Sequence, residues 1–169
     1  GKQTPKLLLS IEDNDLYTLK RPFTREFFAL LQIYPFDFTV WDQLVNNFEN
    51  SSKREIFRKQ GALLLLYKDK IVDRVSAEAE KVTFEGHKTY AANTPVYYSE
   101  AANRFYSLPY GCHIGVSWYY QDSKLHVSLR SDGTVDVSKL AQKYSGGGHK
   151  AASGFVFPFK GVFPWKRRK

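Results

Sequence analysis

The chain has 169 residues, enough to bury a hydrophobic core within one domain, or one small domain plus part of another. Hydrophobic residues make up 43% of it and aromatic residues 16%, which excludes extensive disorder. A formal net charge of +8 suits a polyanionic partner, nucleic acid first, with plain solubility or small phosphorylated ligands as the alternatives.

In chain order, Lys6–Ile11 (KLLLSI) reads as a short buried strand followed by the polar cluster Glu12-Asp13-Asn14-Asp15. Acidic residues at a strand end either project into a cleft or form an Asx turn. Thr24 is expected to cap a helix through Leu31 that Pro35 stops. A second helix is expected from about Thr39, with Val40, Trp41, Leu44 and Phe48 on its inner face. Ser52 is expected to cap a longer helix with apolar positions Ile56, Leu63, Leu64, Tyr67, Ile71, Val75 and Ala79, and lysines opposite. Such a helix fits a connector between two lobes or a simple surface helix.

After Val82 the pattern changes. Lys81–Tyr90 predicts a hairpin that turns at Glu85-Gly86, and Gly115–Gln121 (GVSWYYQ) predicts a strand. Lys124–Ser131 alternates, with Leu125, Val127 and Leu129 on one face and His126, Ser128 and Arg130 on the other. Asp132-Gly133 makes a turn, and Asp136 caps a helix carrying Val137, Leu140, Ala141 and Tyr144. A final strand is expected at Gly154–Phe157. The fold class is α/β (α+β): a mixed β-sheet flanked by helices, preceded by a helical segment and a connecting helix.

The most specific chemical feature is Ser145-Gly146-Gly147-Gly148-His149-Lys150-Ala151-Ala152-Ser153-Gly154. Three glycines let backbone N–H groups approach an anion, and a short helix starting at His149–Ser153 would add its N-terminal donors. The alternative is a hairpin with a surface histidine. Arg130 offers a guanidinium fork for phosphate, or else a surface ion pair. Ser128 shares its strand face, and His126 is a further candidate there.

Ser128-Leu129-Arg130-Ser131, Asp136-Val137-Ser138, Gly146-Gly147-Gly148-His149 and Ala152-Ser153-Gly154-Phe155 together resemble the C-terminal domain associated with DHH phosphoesterases. The likeness extends to the nano-RNase and nucleotide phosphatase branch. Ile11-Glu12-Asp13-Asn14-Asp15-Leu16-Tyr17 is similar to the last metal-binding motif of one DHH branch. Thr24-Arg25-Glu26, Phe36-Asp37-Phe38, Trp41, Asn93-Thr94-Pro95 and Ser99 also fit that branch. The resemblance implies a catalytic lobe with two Mn2+ (or Mg2+) ions that activate water, and a second lobe that holds the substrate. It implies Asp13, with Asp15 as alternative, as a metal ligand. It implies Arg130, Ser128, Gly146, Gly147, Gly148 and His149 as phosphate-binding residues. On the same basis residues 1–50 are a remnant of the DHH lobe, 51–82 the connecting helix, 83–160 the substrate-binding domain and 161–169 a basic tail.

The chain departs from that pattern in one large respect: it contains no Asp-His-His triplet, and its four histidines are isolated. The expectation is therefore a substrate-binding portion of a metal-dependent phosphoesterase that is inactive alone, acting on short nucleic acids or phosphorylated nucleotides. The alternative is a non-catalytic RNA- or DNA-binding or structural subunit of a larger nucleoprotein assembly. Partners under these readings are single-stranded RNA or DNA, a phosphorylated nucleotide, or a separate DHH lobe, with no membrane. Starting at Gly1 and lacking methionine, the chain reads as a fragment, a processed product or an incompletely defined sequence.

One cysteine, Cys112, excludes an internal disulfide and a four-cysteine zinc site. With no secretory signal, this fits cytoplasm or mitochondrial matrix. Cys112 and its neighbour His113 are expected to point apart and to serve structure.

Overall fold

Pro5, with φ −56°, fixes the entry into the first helix, α1 (Lys6–Asp15). This segment was expected to be a strand. Its short apolar run does not alternate, so periodicity could not separate the two states. The helix buries Leu7, Ser10 and Asp13 at three-residue spacing and leaves Leu8 exposed. Ser10 Oγ donates to Lys6 O one turn back. The computed structural model describes residues 3–16, 18–106, 108–109 and 111–168. Tyr17 of the acidic motif and Lys169 of the basic tail lie outside them.

The chain divides into two compact units, Gly1–Asp69 and Lys70–Lys169. In the first, α1 is followed by α2 (Thr24–Leu31), α3 (Phe38–Glu49) and the start of α4 (Ser51–Ala77). Leu7, Phe27, Leu31, Leu44 and Phe48 form its core. Phe27 meets Phe48 edge to face, with centroids 4.5 Å apart. Two caps differ from expectation. Thr24 does not cap α2, because its hydroxyl is committed to Asp13, and Phe23 precedes the helix at φ 64°. Asn50, rather than Ser52, caps α4 by accepting from Lys53 N at 3.1 Å. Asp37 caps α3. The apolar stripe foreseen on α4 is not a buried face in this unit, since Ile56, Leu63 and Tyr67 are exposed.

The second unit is a mixed sheet. Its strands are β1 (Glu80–Phe84), β2 (His87–Asn93), β3 (Ile114–Gln121), β4 (Lys124–Ser131), β5 (Gly147–His149), β6 (Ala152–Pro158) and β7 (Lys166–Arg167). Their spatial order is β5-β6-β4-β3-β2-β1-β7. β2 and β3 are parallel and the other pairs antiparallel. A parallel pair needs a crossover, and helix α5 (Tyr98–Phe105) supplies it. Helix α6 (Val137–Gln142) connects β4 to β5. The mixed α/β class read from the sequence is the class observed.

Strand alternation gives the sheet two buried faces. On one, Tyr90 and Ala92 meet Ala101 and Phe105 of α5, with Cys112 alongside. Gly115 is required here, because a Cβ on it would come within 1.9 Å of Ala102 O. On the other face, Val82, Phe84, Ile114, Val116, Leu125, Val127 and Leu129 pack with Val137, Leu140 and Ala141. Leu125 and Leu129 are fully buried, each contributing about 1.5–3 kcal/mol by removal from water.

The C-terminal basic segment is built into this unit rather than hanging free. Trp165 is buried in the core. Phe163 lies between Trp118 and Trp165, with centroids 4.9 and 5.1 Å away. Lys166 and Arg167 pair with Thr83 and Val82, and Arg167 reaches Glu80 at 2.8 Å.

Candidate phosphate-binding site

The two-residue period of β4 puts His126, Ser128 and Arg130 on the α5 face of the sheet, each half-buried. Arg130 sits near the C-terminal end of its strand, level with the first turn of α5. Its Nη1 donates to Ser128 Oγ at 3.0 Å and to Leu129 O at 2.8 Å. Its Nη2 donates to Ser99 Oγ. Among the described residues no carboxylate forms an ion pair with it. Burial works against the charge and lowers its pKa from the usual arginine value. A fork held by hydroxyls and a carbonyl keeps its charge unneutralised, which suits an incoming anion.

The glycine block takes the alternative geometry, a hairpin with an exposed histidine, in place of the nest followed by a short helix. Ser145 adopts φ 60° and Gly146 N donates to Ala141 O at 3.0 Å, so together they close the C-terminus of α6. Gly147–His149 then form β5, and the chain turns at Lys150-Ala151 into β6. No helix begins at His149–Ser153. The helix-terminus donors expected there are replaced by a hairpin ladder, and His149 is exposed on the edge strand. The hairpin tip is anchored. Val137 N donates to Lys150 O, Ser131 N donates to Ala151 O, and Ser153 Oγ donates to Val137 O at 2.7 Å.

Steric demand explains two of the three glycines. A Cβ on Gly146 would meet Gly154 O at 2.3 Å, and one on Gly148 would meet Ala152 O at 2.6 Å. Gly148 also has φ 138°. Gly147 differs, since nothing lies within 4 Å of where its Cβ would be. Packing therefore leaves the open surface at Gly147 unexplained.

Ser128 and Gly146 come together at one cavity of about 470 Å³. Tyr98, Tyr119, His126, Val127, Tyr144, Ser145, Gly154, Phe155 and Val156 complete its lining. Arg130 is not part of the lining but bonds to Ser128, which is. Gly147, Gly148 and His149 lie just beyond it on β5. Tyr119 and His126 are cross-strand partners whose rings stack at 4.7 Å with planes 4° apart. Tyr144 stacks on Phe155 and donates to Glu85 Oε1 at 2.6 Å, and burial followed by Glu85 pushes its phenol upward. The three tyrosines of the lining are not among the candidate site residues read from the sequence, where Tyr144 counted as helix packing and Tyr119 as part of a strand. The aromatic run in β3 was the available signal, but it also fits an ordinary strand.

Asp13 lies in the other unit and is not an open ligand. Its Oδ1 accepts from Thr18 Oγ1 and Lys20 N, and its Oδ2 from Arg21 N and Thr24 Oγ1, all at 2.5–3.0 Å. Thr18 first, then Thr24, hold its pKa far below the usual carboxylate range. Asp15 is exposed at the end of α1. Among the described residues no group of three His, Cys, Asp or Glu side chains is placed to hold a metal ion. The described residues do not fit a manganese centre, since the Asp13 carboxylate is already taken up by four donors. Cys112 is buried with its sulfur on Phe105 O, and burial pushes the thiol up. His113 instead faces outward to Asp132 at 2.7 Å. Among the described residues no helix is long and apolar enough to cross a membrane.

An uncharacterized protein of Acanthamoeba polyphaga mimivirus is 31% identical to this chain over 172 residues, covering 98% of the chain. The chain spans only 40% of that relative's length. Among solved structures, the pGpG-specific phosphodiesterase PggH from Vibrio cholerae matches 94% of the chain with a TM-score of 0.56 at 14% identity. The chain covers 64% of that structure. An uncharacterized protein from Helicobacter pylori G27 matches with a TM-score of 0.46 at 16% identity, the chain covering 57% of it. Residues 94–163, which hold α5, β3, β4, α6, β5, β6 and the whole lining of the cavity, match the DHHA1 domain, the C-terminal domain of the DHH family.

Proposed function

We propose that this chain is the substrate-holding part of a DHH-type phosphoesterase, and that it grips a phosphate of a short nucleic acid or phosphorylated nucleotide through Arg130. The observation that carries this reading is the Arg130 fork, half-buried, without an ion-pair partner among the described residues, and tied by Ser128 to a cavity. Ser128 adds a hydroxyl beside the guanidinium. Gly147 leaves the β5 edge open to close approach, and His149 can donate to an anion from the same strand. Because the described residues do not fit a manganese pair, the chain's role in this reading is binding and orientation. Hydrolysis needs a lobe that carries the Asp-His-His motif.

PggH is specific for pGpG, which makes that dinucleotide a suitable first ligand. Calorimetric titration of pGpG into the parent chain and into Arg130→Ala tests the reading. Binding by the parent, weakened by about 1.5–3 kcal/mol in the variant, is expected for loss of a charge-assisted contact. Equal affinities would reject the assignment.

The net charge of +8 favours a second reading, a nucleic-acid-binding module with no hydrolytic role. It predicts affinity for long single-stranded RNA that falls steeply with salt and is indifferent to Arg130→Ala.

A further inference from the structure

Beyond holding a phosphate, the cavity has the wrong lining for phosphate alone. Its walls include Tyr98, Tyr119, His126 and Tyr144, and few of its groups are charged. Tyr119 and His126 already form a parallel stack, standing side by side on β3 and β4. Next to them the floor is flat. Gly154 pairs with Ser128 on one side and Gly147 on the other, and Gly146 passes over it without a side chain. A cavity of about 470 Å³ has room for a planar heterocycle with its sugar. Ser128 links the aromatic pair to Arg130, two residues along the same strand face.

Resting on the phosphate-holding role of Arg130, we infer that the Tyr119–His126 pair is a stacking platform for a nucleobase. The ligand is then a nucleotide that lays its base against this pair and its phosphate toward Arg130. Aromatic stacking accepts every base, because each has a π face. The platform therefore selects nucleotides over other phosphate esters without choosing among bases by hydrogen-bond pattern. Tyr98, at the start of α5, closes the cavity on the side nearest Ser99. This places the base on the β6 side of the site and the phosphate on the α5 side.

The probes are guanosine monophosphate and ribose 5-phosphate, which carry the same phosphate with and without a base. Each is titrated by calorimetry into the parent chain, Tyr119→Ala, His126→Ala, Tyr119→Phe and Arg130→Ala, with circular dichroism confirming the fold of each. The parent is expected to bind the nucleotide more tightly. Tyr119→Ala and His126→Ala should each lose roughly tenfold in nucleotide affinity and leave the sugar phosphate unchanged. Tyr119→Phe keeps the ring and should behave as the parent, which guards against misfolding of the alanine variants. Arg130→Ala should weaken both ligands. Equal affinity of the parent for both ligands, with Arg130 still required, overturns the platform and leaves the phosphate grip standing. Failure of the parent to bind either ligand overturns both.

Discussion

Arg130 Nη2 lies 2.5 Å from Ser99 Oγ, a bond that spans 31 residues of sequence and joins β4 to the first turn of α5. Together with the Ser128 contact it fixes the guanidinium plane from two sides. Removal of the anchor should therefore misorient the fork without removing the charge. Ser99→Ala is expected to weaken pGpG binding by about 0.5–1.5 kcal/mol, less than Arg130→Ala. Arg130→Lys keeps the charge but loses the planar fork, and should fall nearer to Arg130→Ala than to the parent. Calorimetry on the three variants ranks them. A Lys variant equal to the parent would show that only charge matters.

Ser145 holds a left-handed backbone at the C-terminus of α6, a position that glycine occupies at lower cost. Ser145→Gly should raise stability by about 1 kcal/mol. Urea denaturation measures it, and an unchanged or lower midpoint would show that the serine side chain compensates.

Gly147 and Gly148 are neighbours with opposite tolerance. Gly148→Ala forces a side chain against Ala152 O and Ser153 Cα, both at 2.6 Å, from a φ that alanine avoids. It should destabilise the unit by about 2 kcal/mol or more. Gly147→Ala should be close to neutral in stability, since its Cβ meets nothing. If ligand approaches this edge, Gly147→Ala also weakens pGpG binding at unchanged stability. Thermal melts and titration together separate the two effects.

Two carboxylates tie stability to acid pH with the same sign. Asp13 lies far below the ordinary value of 3.8, chiefly through Thr18 and then Thr24. Asp132 is lowered to about 2, chiefly through Thr134, with His113 assisting. A group depressed in the folded state stabilises above its unfolded pKa. That contribution fades as pH falls below about 4 toward the folded value. Urea midpoints should therefore drop between pH 4 and pH 2. Asp13→Asn should be less stable than the parent at pH 7 and show a shallower fall. Parallel curves for the two proteins would contradict this.

The sheet was legible because its physics is local. Leu125, Val127 and Leu129 alternate with His126, Ser128 and Arg130, and β4 has the predicted limits. Asp136 caps α6 as its position suggests. The misread segments depend on distant partners. Lys6–Ile11 is a helix because Phe27, Leu44 and Phe48 cover its Leu7 side. Asp13 was read as a possible metal ligand because nothing local reveals that donors at residues 18, 20, 21 and 24 fold back onto it. The glycine run was read as letting backbone N–H groups approach an anion, whereas the groups that crowd Gly146 and Gly148 belong to Gly154, Phe155, Ala152 and Ser153 of the chain itself. The aromatic lining assembles Tyr98 of α5, Tyr119 of β3 and Tyr144 of the turn after α6, which no spacing rule connects.

In the proposed reading phosphate is held at one place, between β4, the start of α5 and the glycine hairpin. A titration of labelled protein with pGpG, followed residue by residue in amide nuclear magnetic resonance spectra, tests it most directly. Saturating shifts are expected at Ser99, Ser128, Arg130 and residues 146–149, with Tyr119 and His126 joining them where the base stacks, and all are lost in Arg130→Ala. Saturating shifts that leave these residues still, or that survive the substitution, would contradict it.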